Sequence, residues 1–163
     1  MCFTKDEFDY QVLNLTQKFY IDYPNPPYKE IDKKNSRPYN CLLIQSHYGY
    51  FICIPYRSHI RHKYSFMFKN SLRSKRAKSG LDYSKIVIVA DSNYIGQTDA
   101  IVDKDEYNET RNNIEYIKND AQEYVDDYVN YLSGNSTKYD KKEFERIYQY
   151  STLQYFHKEL GIK

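Results

Sequence analysis

The sequence contains no tryptophan and only five glycines, and its three cysteines form no CxxC pair. So few glycines argue against a Gly-rich phosphate-binding loop, and the GxSxG nucleophile elbow of many hydrolases is absent. Histidine and cysteine do not cluster at the spacing of a metal site, so we expect neither a metal nor another cofactor. The chain therefore lacks the motifs by which nucleotide-binding, serine-hydrolase and zinc-dependent proteins are usually recognised.

Long apolar runs are absent as well. No stretch approaches the roughly 18 apolar residues of a membrane span, and no segment of signal-peptide type opens the sequence. Cys41 and Cys53 lie in apolar, strand-like runs, where a free thiol behaves as a small hydrophobic group. With 163 residues, of which 28% are charged, the sequence predicts a single reduced, cytoplasmic domain over residues 1–163, without a membrane partner.

The first half of the chain combines a helical pattern with strand patterns. A capping box at Thr4–Glu7, followed by apolar residues at helical spacing, predicts a helix over residues 5–20. The runs at 39–45 and 50–54 flank a short loop and predict a β-hairpin. An apolar run at 85–90 predicts a buried strand, and 93–96 and 99–102 are shorter strand candidates.

The second half of the chain has helical periodicity. An apolar stripe that begins after Asp103, a suitable N-cap, predicts a helix that ends near Gly134. A last helix is predicted from about residue 140 to Gly161, which is placed to act as a C-cap. Helix, hairpin, strand and long helices in this order predict an α+β domain with an antiparallel sheet.

Charge is segregated along the sequence although the net charge is only +2. The segment from Arg57 to Gly80 contains eight basic residues and no acidic one, whereas residues 99–127 contain ten acidic residues. The basic segment predicts a surface for a nucleic-acid backbone. We expect the acidic face to lie away from this basic surface, because its carboxylates would repel the bound nucleic acid. Alternatively, the two segments pair with each other across the fold, or each forms a solvated face.

The segment "RSHIRH", Arg57–His62, concentrates the side chains that RNA cleavage without a metal requires. The 2′-hydroxyl must lose a proton, the phosphorane charge must be stabilised, and the leaving 5′-oxygen must gain a proton. Histidine exchanges protons near neutral pH, arginine binds phosphate oxygens through its forked donors, and a serine hydroxyl can bind a non-bridging oxygen. Arg57, Ser58, His59 and His62 are therefore candidate catalytic residues. We favour His62 for proton transfer.

Five segments in order resemble the ToxN/AbiQ family of type III toxin–antitoxin endoribonucleases, and most of all its CptN branch. They are "RPYNCLLI" (37–44), "YFICIPYRSHIRHKYSFMF" (50–68), "SGLDYSKIVIV" (79–89), "VDKDEYNETRNNIEYI" (102–117) and "YQYSTLQYFHKELGI" (148–162). The similarity spans nearly the whole chain. It implies a strongly twisted antiparallel sheet with a small-barrel, MazF/Kid-like core, surrounded by helices and followed by a long helical C-terminal half.

The resemblance also implies an activity and its partners. Such a toxin cleaves cellular RNA without a metal and leaves a 2′,3′-cyclic phosphate. It is inhibited by a repeat-derived RNA pseudoknot, the antitoxin, which the toxin itself processes and with which it alternates in a closed protein–RNA assembly. Systems of this kind act in growth arrest or in abortive infection, a form of phage defence.

The family's site residues match this sequence only in part. Pro55 and Ser58 match a proline and a hydroxylic residue at the strand end, but Arg57 stands where the family has a second hydroxylic residue. Arg37 corresponds to the basic residue that opens the first strand of the hairpin, so the resemblance implies a catalytic role for it. His62 falls where some members also carry a histidine.

Basic residues around this turn are predicted to bind RNA. The family's upstream tyrosine and lysine have loose counterparts in Tyr28 and in Lys33 or Lys34. The predicted RNA-binding residues are Lys34, Arg61, Lys63, Lys69, Arg73, Lys75, Arg76 and Lys78. Two other functions fit the same residues: a non-catalytic RNA-binding protein that uses the basic 57–78 stretch, and a scaffold whose charged halves only pack. The cluster at 57–62 favours cleavage, because phosphate binding needs cations but not paired histidines.

Overall fold

The computed structural model describes residues 10–31, 39–46 and 48–162. The strands of this part are β1 (Tyr10–Leu15), β2 (Asn40–Gln45), β3 (Phe51–Arg57), β4 (Ser65–Met67), β5 (Gly80–Asp82), β6 (Val87–Val89) and β7 (Ile95–Asp99). They form one antiparallel sheet in the order β4-β5-β3-β2-β1-β7, and β6 pairs with β3 beside this path. Within these residues β4 and β7 do not pair, so the sheet is open. The predicted α+β fold with an antiparallel sheet is confirmed.

The helices of the described residues lie between and after these strands. They are α1 (Gln17–Asp22), α2 (Leu72–Ala77), α3 (Lys104–Asn112), α4 (Ile114–Leu132), α5 (Lys141–Tyr148) and α6 (His157–Leu160). The apolar side of α4 is buried through Ile117, Ala121 and Val125, each fully inaccessible to solvent. None of the described helices is long and apolar enough to cross a membrane.

The predicted hairpin is confirmed as β2 and β3, which pair from Gln45↔Phe51 to Cys41↔Pro55. Both strands are apolar at consecutive positions because both faces of this central pair are covered. Burial raises the pKa of the Cys41 thiol to about 12, and it raises the pKa of Cys53 as well. The two cysteines are thus inert parts of the core, as the sequence predicted.

The helix predicted over residues 5–20 is wrong for residues 10–15, which form β1, an inner strand of the sheet beside the edge strand β7. Residues 1–9, including the predicted capping box, lie outside the described part. The apolar residues Val12, Leu13 and Leu15 suit a strand and a helix equally, and they are buried between neighbouring elements. Pairing with β2 and β7 decides the conformation, since it satisfies the backbone of a segment with two available partners.

The predicted caps of the helical half are confirmed, but its helices are shorter. The Asp103 carboxylate accepts hydrogen bonds from the amides of Asp105 and Glu106, and the stripe that follows is divided between α3 and α4 at Asn113. A 3-10 turn separates α5 from α6, and Gly161 ends α6 with a φ of 72°. The predicted caps thus mark the two ends of this half, whereas its breaks at Asn113 and at the 3-10 turn were not predicted.

The two short strands β4 and β5 were not predicted from the sequence. Three residues give too short a pattern for recognition, and Gly80 stands in β5 because a Cβ there would lie 2.4 Å from the carbonyl oxygen of Phe66. The end of β3 pairs with β5 through Arg57↔Gly80. This pairing places the basic turn beside Asp82, the last residue of β5.

Candidate functional site

The end of β3 opens into a cleft of about 710 Å³. Arg57, Ser58 and His59 line one side, and the opposite sides are formed by β1, β2, α2 and the start of α3. The remaining lining residues are Asn14, Tyr39, Asn40, Tyr56, Arg73, Ile101, Val102, Asp103 and Glu106. The cleft thus combines a hydroxyl, an imidazole and two guanidinium groups at the end of a rigid strand.

Ser58 and His59 are the two chemically reactive side chains of the cleft that the fold leaves available. The Ser58 hydroxyl is half-buried and forms no hydrogen bond with another described residue, and His59 is exposed. His59 has a φ of 60°, a conformation that few non-glycine residues adopt. Hydrogen bonds from the amides of His59 and Ile60 to the end of α2, together with the buried Ile60 side chain, hold this turn. Strained residues held in this way are enriched at functional sites.

His62 lies outside the cleft and is bound on both ring nitrogens. Its Nε2 is 3.1 Å from Oδ1 of the buried Asp82, and its Nδ1 accepts a hydrogen bond of 3.1 Å from the Tyr64 amide. Neither nitrogen is left to exchange a proton with a substrate. His59 is therefore better placed than His62 to contact a ligand in the cleft, and the catalytic role predicted for either histidine stays a prediction.

Ser84, His62 and Asp82 lie together but do not form a catalytic triad. The Ser84 hydroxyl donates to Asp82 Oδ1 at 2.6 Å, and its oxygen lies 3.3 Å from His62 Nε2, the nitrogen that also faces Asp82. In a triad the imidazole uses one nitrogen for the serine and the other for the carboxylate. This cluster instead fastens the turn to β5.

Arg57 is held by the same buried carboxylate. Its Nη1 donates to Asp82 Oδ2 at 2.8 Å, and its guanidinium lies 5.6 Å from the centre of the Tyr39 ring. Burial opposes the charged forms of both partners, yet the Asp82 carboxylate raises the pKa of Arg57. Hydrogen bonds from His62 and Ser84 and the charge of Arg57 hold the pKa of Asp82 below its usual value in spite of its burial. Arg57, which the sequence predicted to be catalytic, therefore uses part of its guanidinium group to hold the fold together.

The acidic segment touches the basic segment directly, so the expectation that it lies elsewhere is wrong for two of its residues. The buried Glu106 accepts hydrogen bonds from Ser71 Oγ and Ser79 Oγ, both at 2.7 Å, and pairs with Arg73 Nη2 at 2.8 Å. Glu109 accepts from the amides of Lys69 and Asn70. These carboxylates shape the 69–79 segment by satisfying its donors, and Arg73 is not a free cation.

The other predicted RNA-binding cations of the described chain are exposed. Arg61, Lys63, Lys69, Lys75, Arg76 and Lys78 form no ion pair with a described acidic residue. Lys75 and Arg76 occupy the last turn of α2, and Lys78 follows as its cap. Lys34 and Arg37, together with Lys33, lie outside the described residues, so their roles stay predictions.

Replacing Lys75, Arg76 and Lys78 together by alanine is expected to weaken RNA binding, because each of these cations would release a counterion when it binds a phosphate. For single-stranded RNA, each cation that no longer binds a phosphate should reduce the slope of log affinity against log salt by about 0.7. A salt titration with fluorescently labelled RNA measures this slope. The charge-matched control changes Lys141, Lys142 and Arg146 on α5 and should leave the slope unaltered. If the two triple variants behave alike, the cations of α2 only balance the protein's own acids.

Sequence reasoning missed several residues of the site. Asn14 and Asn40 lie opposite each other in the β1–β2 register and face the cleft, but isolated asparagines at strand ends carry no sequence signal. In the sequence, nothing distinguishes Asp82 and Glu106 from the many other acidic residues. Only their burial, at 1% exposure each, distinguishes them.

Neither a metal site nor a match to a known protein indicates what this chain does. Within the described residues no group of three or more His, Cys, Asp or Glu side chains is placed to hold a metal ion. Comparison with protein-family models, with curated proteins and with solved structures finds no match. Function must therefore be inferred from the chemistry of the cleft and from the sequence resemblance.

Proposed function

We propose that this protein is a metal-independent endoribonuclease that cleaves single-stranded RNA at the cleft beside the end of β3. The observation that carries the proposal is the placement of Ser58 and His59 in one cleft, with neither side chain bound to another described residue. Arg57 and Arg73 line the same cleft, each paired with a buried carboxylate, and the partly exposed Arg73 keeps N–H donors for a phosphate. The resemblance to ToxN/AbiQ endoribonucleases, in which the same strand end carries the site, supports this assignment.

In the proposed reaction the ribose 2′-oxygen attacks the adjacent phosphorus, and the bond from phosphorus to the 5′-oxygen breaks. The products are a 2′,3′-cyclic phosphate and a free 5′-hydroxyl. His59 transfers one of the two protons, taking it from the 2′-hydroxyl or giving it to the leaving oxygen, and solvent water exchanges the other. The Ser58 hydroxyl donates to a non-bridging oxygen, whose negative charge grows in the transition state.

Arg73 is suited to bind the phosphate in the cleft that it shares with Ser58. Its Nε and Nη2 donate to Glu106 at 3.3 and 2.8 Å, so one edge of the guanidinium is fixed by a buried carboxylate. The other edge belongs to a side chain that is 41% exposed at the cleft. A fixed, forked donor loses little entropy on binding an oxyanion. Arg37, two residues before Tyr39 in the sequence, completes the proposed catalytic set.

The biological setting is part of the same proposal. We infer a cytoplasmic toxin of a type III toxin–antitoxin system, with a MazF/Kid-like core, that acts in growth arrest or phage defence. Its RNA antitoxin, a pseudoknot cut from a repeat transcript, would bind across the cleft and the exposed cations of α2 in a closed alternating assembly. The support is the sequence resemblance together with the exposed basic residues beside the cleft.

A non-catalytic RNA-binding protein is the second candidate. The exposed cations of 61–78 favour it, because they would bind an RNA backbone whether or not the cleft is reactive. Incubation of purified protein with labelled RNA separates the two functions. Binding without 2′,3′-cyclic phosphate products would favour the second candidate.

Ser58→Ala is expected to reduce cleavage by about a hundred- to a thousand-fold, the usual effect of removing one transition-state donor. We expect the same of Arg37→Ala, and both variants should lose toxicity in cells. Single-turnover cleavage of labelled RNA measures the rate, and circular dichroism checks the fold. Ser133→Ala, at an exposed serine after α4, is the matched control and should cleave at the wild-type rate. A folded Ser58→Ala protein with unchanged cleavage would remove Ser58 from the site.

A further inference from the structure

Two asparagines on neighbouring strands form a fixed polar pair in the wall of the cleft. Asn14 of β1 and Asn40 of β2 are direct partners in the strand register, and both line the cleft. Asn14 Nδ2 donates to Asn40 Oδ1 at 2.8 Å and to the Tyr39 carbonyl oxygen at 3.1 Å. Asn40 Nδ2 donates to the Ile101 carbonyl oxygen at 3.0 Å. Both side chains are half-buried.

These hydrogen bonds determine which way each amide points. A carbonyl oxygen only accepts, so the groups that face Tyr39 and Ile101 must be the NH₂ groups of Asn14 and Asn40. Both N–H groups of Asn14 are then used. Its Oδ1 receives no hydrogen bond from a described residue, and Asn40 has one N–H left. The pair therefore offers one acceptor and one donor, on two amides that are joined by a hydrogen bond.

A phosphate does not match this pair, because it offers only acceptors and would meet the lone pairs of Asn14 Oδ1. The edge of a nucleobase does match, since each base presents a donor next to an acceptor on its Watson–Crick edge, in one order in adenine and cytosine and in the reverse order in guanine and uracil. Single-stranded RNA is read by hydrogen bonds of this kind to splayed bases. The Ile101 side chain, 93% exposed at the rim of the cleft, offers an apolar surface that a base could cover.

We propose that Asn14 and Asn40 form a nucleobase-recognition site that selects the nucleotide bound next to the scissile phosphate. The proposal rests on the proposed function, because it assumes that RNA enters the cleft with Ser58 and His59 at its phosphate. Asn14 Oδ1 accepts from an exocyclic or ring N–H of the base, and Asn40 Nδ2 donates to the neighbouring base nitrogen or oxygen. The fixed cross-strand bond holds both amides ready, so little side-chain entropy is lost on binding.

The test measures binding separately from cleavage. The probes are short 2′-O-methyl oligoribonucleotides, which lack the nucleophilic hydroxyl, labelled with fluorescein and differing only in the base at one position. Fluorescence anisotropy gives Kd for the wild-type protein, Asn14→Ala and Asn40→Asp. Asn119→Ala, at an exposed residue of α4 outside the cleft, is the matched control. Circular dichroism confirms that each variant is folded.

At one position, the wild-type protein and Asn119→Ala are expected to prefer one base, or the two bases that share its donor–acceptor order, by at least about fivefold, the effect of a single good pair of hydrogen bonds. Asn14→Ala should lose this preference while the salt dependence of its binding is unchanged, because the phosphate-binding cations remain. Asn40→Asp replaces a donor by an acceptor. Its preference should move toward guanine, whose ring N–H and amino group are two neighbouring donors.

Two results would overturn the proposal: equal affinity of the wild-type protein for all four bases at every position, or the same preference in Asn14→Ala as in the wild type. Asn40→Ala provides a second test if Asn40→Asp does not fold, and it too must weaken the preference. The outcome is independent of catalysis. If the protein selects a base but cuts no RNA, the recognition site stands and the proposed nuclease function is wrong. If it cuts RNA without base preference, the nuclease function stands and the recognition site is wrong.

Discussion

Replacing His59 with asparagine is expected to lower the rate of RNA cleavage by about 10²–10⁴-fold, the usual contribution of a positioned general acid or base. Asparagine removes the imidazole but tolerates the left-handed backbone conformation of this position better than most other non-glycine residues do. The wild-type rate should vary with pH across the near-neutral range, because general acid–base catalysis requires the catalytic group in one protonation state. The variant should lose that dependence. Single-turnover rates across this pH range measure both effects.

His62→Asn is the matched control for this prediction. His62 lies in the same turn, but its ring nitrogens face Asp82 and the Tyr64 amide instead of the cleft. We expect this variant to lose stability while keeping the wild-type pH dependence of its residual activity. A pH profile that is lost in His62→Asn and kept in His59→Asn would return the proton-transfer role to His62.

Asp82→Asn is expected to lower the free energy of unfolding by about 3–5 kcal/mol, the typical cost of removing one partner from a buried ion pair. Asp82 is 1% exposed and binds Arg57, His62 and Ser84, so the substitution leaves a largely buried guanidinium without its counter-charge. Urea denaturation followed by circular dichroism measures the change. Glu145→Gln, at an exposed residue of α5, should change stability by less than about 0.5 kcal/mol.

The effect of Asp82 should also depend on pH in a defined direction. The pKa of Asp82 is lower in the folded protein than its usual value, so the folded state favours the ionised carboxylate. Its stabilising contribution is therefore fully present above the unfolded pKa of about 3.9 and is lost as pH falls through the lower folded value. The stability difference between wild type and Asp82→Asn should shrink below about pH 4. A difference that stays constant to lower pH would show that packing, and not charge, makes Asp82 important.

The local signals in the sequence determined several elements without help from the rest of the fold. The two apolar runs around a short loop predicted β2 and β3, and the run at 85–90 predicted β6. Asp103 and Gly161 marked the ends of helices correctly, because a side-chain cap and a glycine with positive φ act within one turn of the backbone. The same local patterns identified Ser58 and His59 as candidate catalytic residues.

Only the tertiary structure decided which of several compatible local choices was realised. Residues 10–15 suit a helix, but two neighbouring strands bind their backbone groups and make them β1. His59 and His62 are indistinguishable by residue type, and the β3–β5 pairing separates them by placing Asp82 beside His62 alone. The two asparagines of the cleft lie 26 positions apart and become one polar pair through strand register. Contacts between distant residues depend on how elements pack, and a sequence pattern carries information only about neighbours along the chain.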